Sequence, residues 1–171
     1  MVRIARFEKV SLQRFVSDWI STFPHQTVEQ AVLAYEHIKL TQRATSGSAG
    51  YDFYAPVGFD LPAGGSIKIP TGIRAIIEEG WVLTLYPRSG LGFKYRFQLD
   101  NTVGVIDSDY AFSENEGHIF MKLTNDNREG KGLRIPAGTA FAQGVFLPYG
   151  ITVDDNAQGI RNGGFGSTTK A

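Results

Sequence analysis

The chain has 171 residues, a length that suits one compact domain able to bury an apolar core without staples. Its 17 lysines and arginines balance 17 aspartates and glutamates, so no whole-protein field draws it to nucleic acid or to an anionic membrane, and any anionic ligand must be held by local groups. It has no cysteine, which excludes disulfides and thiolate metal sites and fits a reducing compartment.

The opening MVRIARFEKV is charged, and no apolar run of signal-peptide length follows it. No stretch is apolar for long enough to span a bilayer, so a soluble, cytoplasmic protein is expected. Two helical rhythms come next. After Ser11, a candidate N-cap, Leu12, Phe15, Val16, Trp19, Ile20 and Phe23 recur at three- and four-residue steps until Pro24 breaks the run. In TVEQ, Thr27 and Gln30 have capping-box spacing, and Val28, Ala31, Val32 and Tyr35 then share one side. Both apolar faces are expected to pack on the body of the protein, with a membrane or partner role as the alternative.

From about Leu40 the texture changes to short β-type runs punctuated by glycine and proline: SIKIP, GIRAIIEEGWVLTLYPRSG, GHIFMKLTN and GLRIPAGTAFAQGVFLP. This is the pattern of an all-β sandwich or barrel. LPAG (61–64) recurs as IPAG (135–138), reused turn chemistry placed as a type I turn prefers. Glu78, Glu79 and Gly80 read as a hairpin connection.

Five stretches carry candidate chemistry. In SAGYDFYAP, Asp52 sits among aromatics and needs a cation or a bound metal to answer it, unless it is a turn residue. In YPRSGLGFK, Arg88 and Ser89 follow a strand, and Gly90 and Gly92 allow close backbone approach; a plain turn is the alternative. LDNTVGVIDSDY clusters Asn101, Asp107, Asp109 and Tyr110 around an apolar core, with Gly104 as a bend. Partial burial there would raise Asp107 toward the range of a useful base, whereas an acidic strand end is the bland reading. In FAQG, Gln143 is either a satisfied core amide or an aimed hydrogen bond. The tail IRNGGFGSTTKA offers backbone amides, the Ser167 and Thr168 hydroxyls and Arg161 for phosphates, with Phe165 as a stacking face for a base.

In this order AGYD, RSG, GVIDSDY, AQ and GGFGST resemble the five motifs of the trimeric dUTPase family, over roughly Ile38 to Thr169. The resemblance implies a mainly β chain, a distorted jelly-roll β barrel preceded by short helices. Its parts would be an N-terminal helical extension (1–37), the barrel (38–160) and a glycine-rich arm (161–171) that closes the site. It implies a homotrimer with shared active sites that cleaves dUTP with magnesium to dUMP and pyrophosphate, with no nucleic-acid or membrane partner. Asp107 would activate the attacking water, and Tyr110 would pack under the deoxyribose and leave no room for a 2′-hydroxyl. Asn101, Gly104, Val105 and Ile106 would read the uracil edge. Arg88, Ser89, Gly90 and the catalytic Gln143 would contact phosphate oxygens or the water, and Arg161, Phe165, Gly166, Ser167 and Thr168 would bind from the arm. Asp52 would support the metal–triphosphate arrangement indirectly.

Three features depart from the family pattern. Arg161 stands four residues before Phe165 instead of five, and Ala140 stands where an arginine or similar residue is usual. After Tyr110 the segment AFSENEG is longer by about five residues than the family's quick turn, and Glu114 and Glu116 are read as solvated loop charges. Two rivals remain open: a dCTP deaminase of similar fold, which needs a glutamate against the pyrimidine ring, and a non-catalytic nucleotide-binding trimer.

Overall fold

The computed structural model describes residues 2–161. Its β-type runs become twelve strands, all paired antiparallel. They are β1 (Ala5–Lys9), β2 (Gln42–Arg43), β3 (Tyr51–Tyr54), β4 (Phe59–Leu61), β5 (Ser66–Pro70), β6 (Ile73–Ile77), β7 (Trp81–Pro87), β8 (Phe97–Leu99), β9 (Gly104–Ile106), β10 (Phe120–Asn125), β11 (Leu133–Ile135) and β12 (Ala140–Pro148). Helices α1 (Leu12–Thr22) and α2 (Val28–Glu36) lie between β1 and β2, and α3 (Ser89–Tyr95) follows β7. The strands form sheets of order β2-β3-β12-β7-β9, β5-β10-β8, β1-β6 and β11-β4. This is the mainly β architecture expected. Alternating residues such as Met121 and Leu123 on β10, or Leu83 and Leu85 on β7, meet Phe53, Phe97 and Phe141 in one core. Among the described residues no helix is long and apolar enough to cross a membrane.

Several local expectations change. The N-terminal segment opens on a strand, β1, which takes β6 as its partner from Ala5 opposite Ile77 to Lys9 opposite Ile73. Residues 78–80 therefore do not close a hairpin of paired strands. The turn forms, with Trp81 N–H donating to Glu78 C=O at 3.3 Å, but β7 leaves for the five-stranded sheet. LPAG and IPAG do make one reused turn, closed by Gly65 N–H to Pro62 C=O and by Thr139 N–H to Pro136 C=O. Gly64 and Gly138 occupy its third position at φ 79° and 72°, which suits a type II turn in place of the expected type I.

Ser11 caps α1 by accepting from the Arg14 N–H, and Thr27 and Gln30 form the full capping box on α2. Phe15 and Trp19 of α1 are fully buried as expected. The buried side of α2 is rotated: Ala31 and Ala34 face inward, Val28 is exposed and Tyr35 is half-buried. The small alanines let α2 lie close to α1, while the Tyr35 hydroxyl reaches the Val10 carbonyl at 2.8 Å.

The segment after Tyr110 is tied to α1 by two polar latches. Glu116 accepts from the Ser11 N–H at 2.7 Å and from the Ser11 hydroxyl at 2.6 Å, so it is not a solvated charge. His118, with no exposed surface, has Nε2 accepting from the Gly72 N–H at 2.8 Å; the ring proton therefore sits on Nδ1, which donates to Asp18 at 2.6 Å. Burial holds this imidazole below its ordinary 6.5, outweighing the opposite pull of Asp18. Partial burial pushes the Glu116 carboxyl up, but the Ser11 hydrogen bonds with Arg74 and Arg14 hold it below 4.5. In both cases the unfolded chain takes up the proton first as pH falls. The His118 contribution is complete above about pH 6.5 and is lost below it, and the Glu116 contribution is lost only below about 4.5. The melting temperature is therefore expected to stay level from about pH 8 to 7 and to fall below about 6.5, with a shallower fall in His118→Gln; scanning calorimetry across that range checks it.

Candidate functional site

Strands β8 and β9 belong to different sheets, so the chain must turn sharply between them. It does so at residues 100–103, where Thr102 adopts φ 68° and its N–H donates to Leu99 C=O, while the Val103 N–H donates to Asn101 C=O. The bend lies here and not at Gly104, which is already in β9 opposite Leu85. Glycine is still required at that position, because a Cβ would stand 2.9 Å from Leu85 Cδ1. Period-two alternation then buries Ile106 and exposes Val105. The strand delivers Asp107 to the start of a 3-10 turn, Ser108–Phe112, which buries Tyr110.

These residues surround a cavity of about 620 Å3. Asn101, Val103, Gly104, Val105 and Ile106 form one wall, with Tyr110, Asp107, Phe120, Met121, Lys122 and Arg161 around the rest. Asp107 was expected to be partly desolvated by its β-branched neighbours. Its side chain is 45% exposed and lines the cavity, so it is only partly buried where the strand ends at Ile106. It pairs with the Arg161 guanidinium, whose Nε also donates to Asp109 at 2.9 Å. The Arg161 guanidinium carbon lies 5.9 Å from the Tyr110 ring centroid. Burial pushes the Tyr110 phenol up, so it remains a hydrogen-bond donor near neutrality. Asp100 is pushed up by partial burial but held below the ordinary carboxylate value by the Thr124 hydroxyl and by Lys122, 2.9 Å away.

A second cluster lies at the other end of β7. Strand β12 sits between β3 and β7, placing Gln143 opposite both Asp52 and Tyr86. The Gln143 amide packs over Gly50, where a Cβ would come within 2.7 Å of Oε1, and the residue is half-buried. Asp52 is answered by a cation, Arg88, at 3.4 Å. Ser89 and Gly90 open α3 and are exposed; they belong to a helix in place of the expected turn, and Arg88 at the N-cap position makes no side-chain cap bond.

Within one chain Arg88 and Ser89 are set apart from Asp107 along β7. Asp107 follows Ile106, which is opposite Leu83, whereas Arg88 and Ser89 follow Pro87. From Leu83 to Arg88 is five residues, roughly 17 Å at about 3.4 Å per residue. Arg161 is brought to Asp107 and Asp109, while Phe165, Gly166, Ser167 and Thr168 lie outside the described residues. Sequence reasoning missed Lys122, Phe120 and Met121. They sit inside a strand whose pattern signals only core packing, and only the pairing of β10 with β8 brings them to the cavity.

The dUTPase family model matches residues 36–169 of this chain. A deoxyuridine 5′-triphosphate nucleotidohydrolase from Lactococcus lactis is 41% identical over 134 residues, covering 77% of this chain and 88% of that protein. One from Dictyoglomus turgidum is 37% identical over 141 residues, with 77% and 90% covered. The crystal structure of a dUTPase from Streptococcus mutans superposes with a TM-score of 0.61 at 33% identity, covering 87% of this chain and 98% of that one. A Staphylococcus bacteriophage 80alpha dUTPase with dUPNHPP shares the fold with a TM-score of 0.63 at 19% identity, with 97% and 98% covered. With strands β2 to β12 and all five motif stretches inside the matched residues, the chain belongs to the dUTPase family.

Proposed function

We propose that this protein is a dUTP diphosphatase that releases dUMP and pyrophosphate, acting as a homotrimer with shared active sites. The observation that carries the reading is the cavity between the 99–106 turn segment and Tyr110, with Asp107 in its lining. The backbone of residues 101–106 offers donors and acceptors to a uracil edge, and a close-fitting wall there would exclude a thymine methyl. Tyr110 lies under the sugar. Asp107 orients a water and takes its proton as the water oxygen bonds to the α-phosphorus and the bond to the bridging oxygen breaks, with pyrophosphate leaving. In the substrate-free chain Arg161 pairs with both Asp107 and Asp109; an entering triphosphate competes for that guanidinium and frees the carboxylate.

The separation of the two clusters supports a site completed between chains, in which Asp52, Arg88, Ser89, Gly90 and Gln143 of one subunit face the Asp107 cavity of another. Large apolar side chains left exposed on one chain, among them Phe93, Phe112, Tyr149, Ile151, Val153 and Ile160, fit burial in such an assembly. From a third direction the arm would bring Phe165 over the base, with Gly166, Ser167 and Thr168 on the phosphates.

Among the described residues no group of three or more histidine, cysteine or acidic side chains could hold a metal ion. With Asp52 already opposed by Arg88, the donor set fits a magnesium carried by the triphosphate and its waters and steadied indirectly by Asp52. When bound, the ion neutralises phosphate charge. A deaminase reading finds no support, because no glutamate lines the cavity and Glu116 is turned to Ser11. A cytoplasmic setting suits a nucleotide substrate and a chain without cysteine.

With magnesium present, pyrophosphate is expected from dUTP and little from UTP, dTTP or dCTP. Asp107→Asn should lower kcat by about 100-fold or more while dUTP still binds. Ammonia from dCTP, or an unimpaired Asp107→Asn enzyme, would contradict the reading. Truncation before Gly163 should leave the melting temperature in place and sharply reduce turnover, since the arm closes the site and does not build the fold. Thermal melts and pyrophosphate assays on the truncated chain check this directly.

A further inference from the structure

The segment that lengthens the chain after Tyr110 does more than fill surface. It folds back so that Asn115 Nδ2 donates to the Tyr110 hydroxyl at 2.8 Å, and that hydroxyl donates to the His118 carbonyl at 2.7 Å. The phenol is thus held through its lone pair and through its proton. Asn115 is itself oriented: its Oδ1 accepts from the Gly117 N–H at 3.1 Å and lies 2.7 Å from the Ser113 hydroxyl, so its NH2 must face the phenol. The Ser113 hydroxyl also reaches the Tyr110 carbonyl at 2.6 Å, fixing the backbone of the same residue.

This bracket is anchored outside the family core. On one side of Asn115, Glu116 binds the N-terminus of α1 through Ser11. Beyond it, His118 binds Asp18 of α1 and the Gly72 N–H, and its ring packs against Phe15 at 6.0 Å and Phe120 at 4.5 Å between centroids. A continuous chain of contacts therefore runs from α1 through the inserted segment to the hydroxyl of the one aromatic residue in the 3-10 turn that faces the nucleotide cavity and is buried.

We propose that Asn115, held by helix α1 through Glu116 and His118, is a positioning residue that fixes the Tyr110 ring and thereby sets the discrimination between deoxyribose and ribose. The inference rests on the reading that Tyr110 packs under the sugar. Excluding a single hydroxyl needs a wall that does not recede. A phenol clamped at its far end cannot withdraw, whereas a ring without the Asn115 bond would be held less tightly against the 2′-oxygen. Residues 111–117 and α1 thus serve substrate choice, not chemistry, and Asn115 touches no reacting atom.

The test is the ratio of kcat/KM for dUTP to kcat/KM for UTP, measured on full-length enzyme whose fold is checked by circular dichroism. Asn115→Ala and Tyr110→Phe are each expected to lower the ratio by about tenfold, mainly by lowering KM for UTP. The double variant should lower it no further than either single one, because both remove the same contact. An unchanged ratio in folded Asn115→Ala, or fully additive effects, overturns the proposal. Should Asn115→Ala fail to fold, Glu116→Gln loosens the anchor at a distance and should shift the ratio in the same direction; no shift there overturns it equally. Tyr110→Ala separates the two layers. If removing the ring leaves the ratio intact, the sugar-packing reading itself falls; if it collapses the ratio while Asn115→Ala does not, only the role of Asn115 falls.

Discussion

Strand β7 and its two neighbours are the constraint on which the rest of the molecule depends. Pairing with β12 along Trp81–Pro87 and with β9 at Leu83–Leu85 holds Gln143 and the Asp107 hairpin at fixed stations on one sheet. Both neighbours approach β7 closely: a Cβ at Gly104 would stand 2.9 Å from Leu85 Cδ1, and one at Gly144 would stand 2.8 Å from Leu83 Cδ1. Arg88 and Ser89 follow the C-terminal end of β7, whereas Asp107 follows the β9 residue that faces Leu83 nearer its start, so the strand sets them apart along its length.

The residues outside the family match behave as part of the fold. Strand β1 completes a pair with β6, Phe15 and Trp19 enter the central core, and α1 receives the segment after Tyr110 through Glu116 and His118. An insertion of this kind is tolerable on a surface because loop closure costs little per added residue, but here its polar side chains have specific partners, Ser11 at the start of α1 for Glu116 and Tyr110 for Ser113 and Asn115. The extension and the insertion therefore make structural sense together.

Much of this was legible in the sequence because it follows from local rules. The caps at Ser11 and Thr27, the break at Pro24 and the change to short β runs after Leu40 depend on neighbours three or four residues away, and they appear as expected. Pairing partners were not legible. Residues 78–80 look like a hairpin, yet β1, far away in sequence, captures β6, and no local pattern announces that. The site divides in the same way. Asp107, Tyr110 and Asn101 lie on one stretch and converge on one cavity, whereas Glu116 reads as a loop charge until Ser11 is seen 105 residues away in sequence. Lys122 was hidden for the opposite reason: a lysine on the exposed side of a strand carries no signal until a neighbouring strand curves a cavity around it.

The central claim is that each active site is built from half-sites on different chains, and subunit mixing tests it most directly. Asp107→Asn enzyme and Ser89→Ala/Gln143→Ala enzyme, each inactive alone, are unfolded together, refolded as mixed trimers and assayed for pyrophosphate release from dUTP. The account predicts that activity reappears, at up to about a quarter of the wild-type level for a random one-to-one mixture, because some sites then join an intact Asp107 to an intact Ser89 and Gln143. Mixed trimers as inactive as their parents would place both clusters in one chain's own site and contradict the account.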